Sequence, residues 1–306
     1  MSAAPLVVEI ERSGIVESSH LVDVVVISRQ GSVVASAGEP ATIAYMRSTA
    51  KPVQTAVCID AGWKPPNEEA VAIACGSHNG EPPQVAVVRT TLEAGFLDEA
   101  ELRCPPAHPR AGAVGDPKPI FHNCSGKHAA MLATAVINGW PRDDYRSPDH
   151  PLQRAVAERL SSLAGKTAES VGVDGCGVPT FAYRLQDAGR IFALLKETAP
   201  YPVYAMRAQP YLVAGTGRLC TAVLESVPGV VIKVGAEGMF CGALLDDGIG
   251  FALKARDGAV RAAEAAVLET LRFLGAEVPA DLAPAPVLGG GEPVGMVRMR
   301  GELSRA

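Results

Sequence analysis

LVDVVVIS, residues 21–28, is a run of β-branched residues with a single carboxylate inside it, and its reading decides the fold. Val and Ile favour extended backbone, and Arg29-Gln30-Gly31 supplies a hairpin-like turn into a further strand at residues 32–37. Upstream, residues 6–11 read as a strand that turns at Ser13-Gly14. The same pattern returns late in the chain at residues 229–234, 239–245 and 248–254. A turn at Arg256-Asp257-Gly258 and an amphipathic helix over residues 259–274 follow. Between these two β-rich ends lie helices over residues 52–61, 82–94, 126–138, 151–164 and 188–197, each with Gly, Pro or Asn near a boundary. Strands at both ends with helices between predict an α+β fold. One antiparallel sheet is assembled from both chain ends, with a helical lobe at about 50–225, in a single domain over residues 1–306.

Composition narrows the function classes. The 306 residues carry 28 basic and 33 acidic groups, for a net charge of -5, with no basic stripe, so nucleic acid and anionic membranes are not expected partners. Aromatic residues are only 5%, too few for base-stacking platforms. No apolar run approaches the ~18 residues of a membrane span, and residues 1–11 lack the basic and long apolar segments of a signal peptide. Seven cysteines, an odd number scattered through the chain, do not form a disulfide scaffold. A cytoplasmic location with free thiols is expected.

Several familiar motifs are absent, among them H-E-x-x-H, G-x-S-x-G and the P-loop; Gly126-Lys127-His128 lacks the Ser/Thr that would hold magnesium. Three short motifs are present in order: Ser48-Thr49-Ala50-Lys51, Ser77-His78-Asn79 and Lys233-Val234-Gly235. This is the order of signatures in serine acyl-transfer enzymes of the β-lactamase and penicillin-binding type. On a starting helix, residues three apart share a face, so the Lys51 amine can reach the Ser48 hydroxyl and act as its base. Such a base works only when neutral, so activity is expected to rise toward alkaline pH. K-x-G on an edge strand would set an amine and unhindered amides where an oxyanion develops. Each motif has a bland alternative: a helix cap with a solvated lysine, a polar turn after residues 71–75, and an edge lysine that blocks aggregation. Their order and contexts favour function, although only 28 residues intervene between Ser48 and Ser77, unlike a β-lactamase.

His122-Asn-Cys-Ser-Gly-Lys-His128 and Asp174-Gly-Cys-Gly-Val-Pro179 form a second constellation. Two cysteines with glycine close by are candidate metal ligands on tight turns; spacing alone leaves open that both are small buried hydrophobes.

With these motifs, the chain resembles the rhizobial-type L-asparaginases, the class 3 or asparaginase II family. The matching segments are residues 13–20, 47–52, 75–78, 123–129, 174–176, 214–215, 233–238 and 248–258. The resemblance implies a fold similar to serine β-lactamases and glutaminases, a homodimer, and hydrolysis of L-asparagine to L-aspartate and ammonia. It implies two Ser–Lys tandems, Ser48 with Lys51 and Ser77 with Lys233. It also implies substrate contacts at Arg47, Asp174 and Gly235, and one zinc ion on Cys124, Lys127 and Cys176 that tunes substrate binding and does not activate water. Other readings are a broader serine amidase acting on glutamine or a β-lactam, and a non-enzymatic zinc-dependent binding protein. A third is an N-terminal-nucleophile enzyme, since Ala214-Gly215-Thr216-Gly217 resembles a self-cleaving site.

Overall fold

The structure is a computed structural model that describes residues 3–110 and 115–306. Met1 and Ser2, which open the segment read for a leader, lie outside the described residues. The chain begins with β1 (Leu6–Arg12), β2 (Ile15–Ser28), β3 (Val33–Ala37) and β4 (Ile43–Tyr45). A single 3-10 turn at Arg47–Ala50 leads into α1 (Lys51–Asp60), α2 (Glu68–Cys75), α3 (Pro82–Ala94), α4 (Ser125–Ile137) and α5 (Pro151–Ala164). Next come β5 (Ser170–Val173), β6 (Pro179–Arg184), α6 (Leu185–Ala193), α7 (Leu195–Thr198), α8 (Pro200–Ala208), α9 (Pro210–Val213) and α10 (Leu219–Ser226). The chain closes with β7 (Val230–Val234), β8 (Met239–Leu244), β9 (Ile249–Ala255), α11 (Val260–Phe273), β10 (Val287–Gly289), β11 (Glu292–Arg300) and β12 (Ser304–Arg305).

Contacts divide the chain into two compact units. One holds residues 1–49, 183–194 and 226–306; the other holds residues 50–182 and 195–225. The first unit is the expected α+β sheet. Among the described residues its strands run in the order β10-β11-β1-β2-β9-β8-β7, with β3 and β12 branching from β2. All pairings are antiparallel, as short connections between sequential strands demand. Residues Val22–Ile27 of β2 are all buried, which explains a continuous apolar run where a half-exposed strand would alternate. Each fully buried Val or Ile there contributes about 1.5–3 kcal/mol. Helices α6 and α11 pack against β2 and β9. Asp23 survives inside this run at 1% exposure because Arg256 grips its carboxylate with two hydrogen bonds of 2.8 and 2.7 Å.

The second unit is helical around α4, whose residues 125–135 are all buried. Helix α2 crosses it closely: a Cβ on Gly126 would sit 2.6 Å from the Ile73 carbonyl, so only glycine admits the approach. Here β5 pairs antiparallel with β6.

One local expectation needs correction, and two elements carried no expectation. The helix read over residues 188–197 starts at Leu185 and breaks at Leu194, separating α6 from α7. The apolar run 71–75 is part of a helix, α2, started by Asn67, whose side chain accepts the Ala70 N–H at 2.9 Å. The hairpin of β10 and β11 was not foreseen, because Gly289, Gly290, Gly291 and Pro293 read as loop. No helix of the described residues is long and apolar enough to cross a membrane.

Candidate active site

Each expected Ser–Lys tandem takes one member from each unit, so the two units are described in turn. In the sheet unit, Ser48 lies in the turn before α1, half-buried, next to Arg47 at φ 50. The Thr49 hydroxyl donates to the Met46 carbonyl at 2.7 Å and closes that turn. Lys233 lies on β7, the edge strand, yet its side chain is 0% exposed and its Nζ donates to the Val234 carbonyl at 2.9 Å. A solvated lysine that guards an edge is therefore excluded. Gly235 explains the K-x-G spacing: a Cβ there would lie 3.1 Å from the Met46 carbonyl, so the strand runs directly beside the segment that carries Ser48. The Gly235 amide itself donates to the Met239 carbonyl at 2.7 Å, so it is not one of the unhindered amides expected for an oxyanion. The following loop is braced from beneath. Ala255 donates to the Gly238 carbonyl at 3.0 Å, and the adjoining turn is held where His20 Nδ1 meets Asp257 at 2.6 Å. Segments 13–20 and 248–258, far apart in sequence, thus meet under the lysine hairpin.

In the helical unit, Lys51 is 0% exposed at the start of α1. Its Nζ meets Ser77 Oγ at 3.1 Å and the Asn123 carbonyl at 3.2 Å, and also the Gly76 carbonyl. None of the three partners is a carboxylate. The Lys51 Nζ donates to two carbonyls and to one hydroxyl oxygen, which joins Lys51 and Ser77 directly. Ser77, His78 and Asn79 are 4%, 2% and 5% exposed, so they are not a solvated turn. The Ser77 amide donates to the Val213 carbonyl at 2.7 Å, and Gly76 allows it, since a Cβ there would lie 2.7 Å from the Leu212 carbonyl. Gly76→Ala is expected to cost about 1–3 kcal/mol through overpacking, read as a lower midpoint in chemical denaturation with an unchanged slope. Burial pushes the His78 imidazole down to about 3, aided by the Lys51 and His122 charges. Its Nδ1 accepts the Gly80 N–H at 3.0 Å, so the ring hydrogen sits on Nε2, facing Ser125 Oγ at 2.9 Å. His78 is a fixed strut, not an acid or base.

The same unit brings Cys124, Lys127 and Cys176 together. Lys127, one turn into α4 from Cys124, donates to Cys176 Sγ at 3.2 Å, and both are buried. Asp174 lies beside them, its carboxylate 3.9 Å from Cys176 Sγ. A hydrogen bond from Cys124, joined by the Lys127 ammonium, holds the Cys176 thiol down to about 5 against the opposing effect of burial. Burial pulls Lys127 down, but the charges of Cys176, Cys124 and Asp174 outweigh it and the net direction is up. The pair is thus a thiolate and an ammonium. Cys104, close by, behaves differently: burial pushes its thiol up to about 12. Among the described residues no group of three His, Cys, Asp or Glu could hold a metal ion; the set here is two thiols and an amine. A thiol lowered on folding from 9.0 to about 5 stabilises fully above pH 9, and that contribution is lost as pH falls toward 5. Metal-free protein is therefore expected to melt progressively earlier across that window, and Cys176→Ser to remove that part of the slope in thermal scans.

Sequence reading missed the contribution of His122, Arg110 and Arg218, which line a cavity beside His78 and Asn79. Only the position of His122, directly before the N-C-S-G-K-H segment, signalled one of them.

The family model described as L-asparaginase II matches residues 8–299. Among solved structures, Mglu in its glutamate form is similar at a TM-score of 0.51 and 13% identity, covering 83% of this chain and 60% of that one. The chain therefore spans about 60% of the length of that relative, and the likeness is one of fold. A Bacillus glutaminase matches at a TM-score of 0.45 and 12% identity, over 83% of this chain and 91% of that one. A β-lactamase from Mycobacterium bovis matches at 0.36 and 17%, over 79% and 89%. A search of curated protein sequences returned no match.

Proposed function

The chain belongs to the L-asparaginase II family of amidohydrolases, and from that premise we propose that it hydrolyses L-asparagine to L-aspartate and ammonia through a serine acyl-enzyme. The observation that carries this reading is the setting of Lys51: a fully buried amine, without a carboxylate partner, bonded to two carbonyls and a serine hydroxyl. A lysine so placed is a proton carrier, because a structural lysine of this depth would be paired with an acid.

In this reading Ser48 is the nucleophile. It is half-buried and open to substrate, whereas Ser77 is 4% exposed and engaged with Lys51. Ser48 Oγ bonds to the amide carbon while Lys51 takes its proton. The amide N–H of Ser48, at the start of a helical turn and so without an intrahelical acceptor, donates to the developing oxyanion. Ser77, in contact with Lys51, gives its proton to the departing nitrogen and takes one from the Lys51 ammonium, so Lys51 is neutral again as the C–N bond breaks and ammonia leaves. Water then attacks the ester carbon and gives a proton to Lys51, which passes it to Ser48 Oγ as the C–O bond breaks, freeing L-aspartate and restoring Ser48. Lys233 adds positive potential from the neighbouring strand. Ammonia release from a panel of L-asparagine, L-glutamine and a β-lactam tests the substrate; the expected result is turnover of L-asparagine well above the other two.

A zinc ion on Cys124, Lys127 and Cys176 is part of the same proposal. The donor set suits it, since zinc favours thiolate and nitrogen and Cys176 is already a thiolate at neutral pH. When bound, the ion would neutralise the two thiolates and fix the start of α4. Lys127 must give up its proton to coordinate, so affinity should fall steeply with acidification. Metal analysis of the purified protein tests occupancy directly. Chelation is expected to raise KM more than it lowers kcat. A homodimer completes the reading and is checked by sedimentation.

A further inference from the structure

We infer that Glu81 is a positioning residue for Ser77: its carboxylate ties the segment 211–216 to the residues that follow Ser77, and so holds the Ser77 hydroxyl on Lys51. The inference deepens the amidohydrolase reading and rests on it for the proton that Ser77 delivers to the departing nitrogen.

Glu81 is 9% exposed at the start of α3, and the groups that meet its carboxylate are all donors and none is a cation. The Thr216 N–H and O–H each reach Oε2 at 3.3 Å, the Asn79 NH₂ reaches Oε1 at 3.3 Å, and the Tyr211 hydroxyl completes the set. Four converging donors call for a group that carries no hydrogen of its own, which a carboxylate satisfies and a carboxamide does not. Burial works to raise the Glu81 carboxyl, but the hydrogen bonds from Tyr211, Thr216 and Asn79 outweigh it and the net direction is down. Burial and the bond to Glu81 push Tyr211 up to about 12, so it remains a donor. Asn79 is fixed in its orientation, since its Oδ1 accepts from Arg218 at 3.1 Å and its Nδ2 also meets the Thr216 carbonyl at 3.1 Å. One turn along, Gln84 repeats the tie with a neutral side chain. Its Oε1 accepts the N–H groups of Asn79 and Glu81 at 3.0 and 3.1 Å, and its Nε2 donates to the Tyr211 carbonyl at 2.9 Å. Gly215, at φ 111, lets the segment lie this close: a Cβ there would sit 2.6 Å from Asn79 Nδ2 and 2.9 Å from Gln84 Nε2.

The tied segment is the one on which Ser77 rests. The Ser77 N–H donates to the Val213 carbonyl at 2.7 Å, between the two residues, Tyr211 and Thr216, that Glu81 holds. Asn79, the third group on the carboxylate, follows Ser77 and His78 in the chain. Glu81 therefore fixes the serine from both sides without touching substrate. Ser77 Oγ lies 3.1 Å from Lys51 Nζ, and a displacement of roughly 1 Å would break that contact and with it the relay.

The test measures turnover of L-asparagine and of L-aspartic acid β-hydroxamate by the full chain, in wild type and in Glu81→Gln, Glu81→Asp and Thr216→Val, together with amide hydrogen exchange. Hydroxylamine is a weaker base than ammonia and departs with less help from a proton, so a misplaced Ser77 slows the amide more than the hydroxamate. Loss of the charge-assisted bonds in Glu81→Gln predicts a kcat for L-asparagine roughly ten- to a hundredfold lower, a smaller loss on the hydroxamate, and KM little changed. Exchange at Ser77 and at residues 211–216 should rise about tenfold while the rest of the chain is unchanged. Glu81→Asp keeps the charge on a shorter stem and should recover part of the loss. Thr216 is exposed, so Thr216→Val, with one donor removed and kcat roughly fivefold lower, keeps the test valid should Glu81→Gln fail to fold. The inference is overturned by equal losses on both substrates, by a rise in KM alone, by unchanged kcat in the folded variants, or by unchanged exchange at Ser77 and residues 211–216. Faster exchange there in the variants of a wild type that hydrolyses neither substrate would keep the tie and remove the proposed function instead.

Discussion

Ser48→Ala is expected to lower kcat for L-asparagine by on the order of 10⁴-fold or more, the scale for deleting a nucleophile from an assembled site. Stability should move by no more than ~0.5 kcal/mol, since the side chain is half-buried in a surface turn. The contrast with Ser77→Ala makes the result informative. A hydroxyl that only relays a proton contributes roughly 10²–10⁴-fold, so the Ser77 variant should retain measurable turnover. If the ranking is reversed, the serine bonded to Lys51 is itself the nucleophile. Both variants near wild-type rates would remove serine catalysis altogether.

Lys51→Met should produce the second large effect, and in two observables at once. Activity falls by roughly 10²–10⁴-fold or more because base and relay are lost together. Methionine has no hydrogen to give the Gly76 and Asn123 carbonyls, and each stranded buried acceptor costs about 1–3 kcal/mol. The melting temperature should therefore fall together with kcat. Lys233→Met is a useful comparison, since its Nζ meets the Val234 carbonyl on its own strand. Loss of stability in Lys51→Met without loss of turnover would make Lys51 a structural tie and the catalytic reading untenable.

The sheet was legible because its evidence is local. A β-branched run such as residues 21–28, ended by Arg29-Gln30-Gly31, can form little else. Burial on both faces even explains its lack of alternation. Helix α2 was less visible: Glu68-Glu-Ala-Val-Ala-Ile-Ala-Cys75 is short and apolar throughout past its first turn, so no 3.6-residue period stands out, although Asn67 and the two glutamates marked its start. In the site, spacing identified Lys51 and placed Cys124 one turn from Lys127. Spacing could not reveal that Lys51 meets Ser77 or that Lys127 meets Cys176, because those contacts span 26 and 49 residues and depend on how α1, α2, α4 and β6 pack. Burial was equally hidden. Lys233 in VVIKVG reads the same whether it guards an edge or lies at 0% exposure. Arg110 and Arg218 belong to loops with no pattern of their own, and only the fold brings them to one cavity.

The central claim is a covalent acyl-enzyme on Ser48, activated by Lys51. Its most direct test is to quench the wild-type protein during turnover of L-asparagine, digest it, and locate the acyl group by peptide mass spectrometry. An aspartyl ester on the peptide containing Ser48, absent in Ser48→Ala, is the expected result. The same adduct on Ser77, or none from a sample quenched while ammonia is being released, would contradict it.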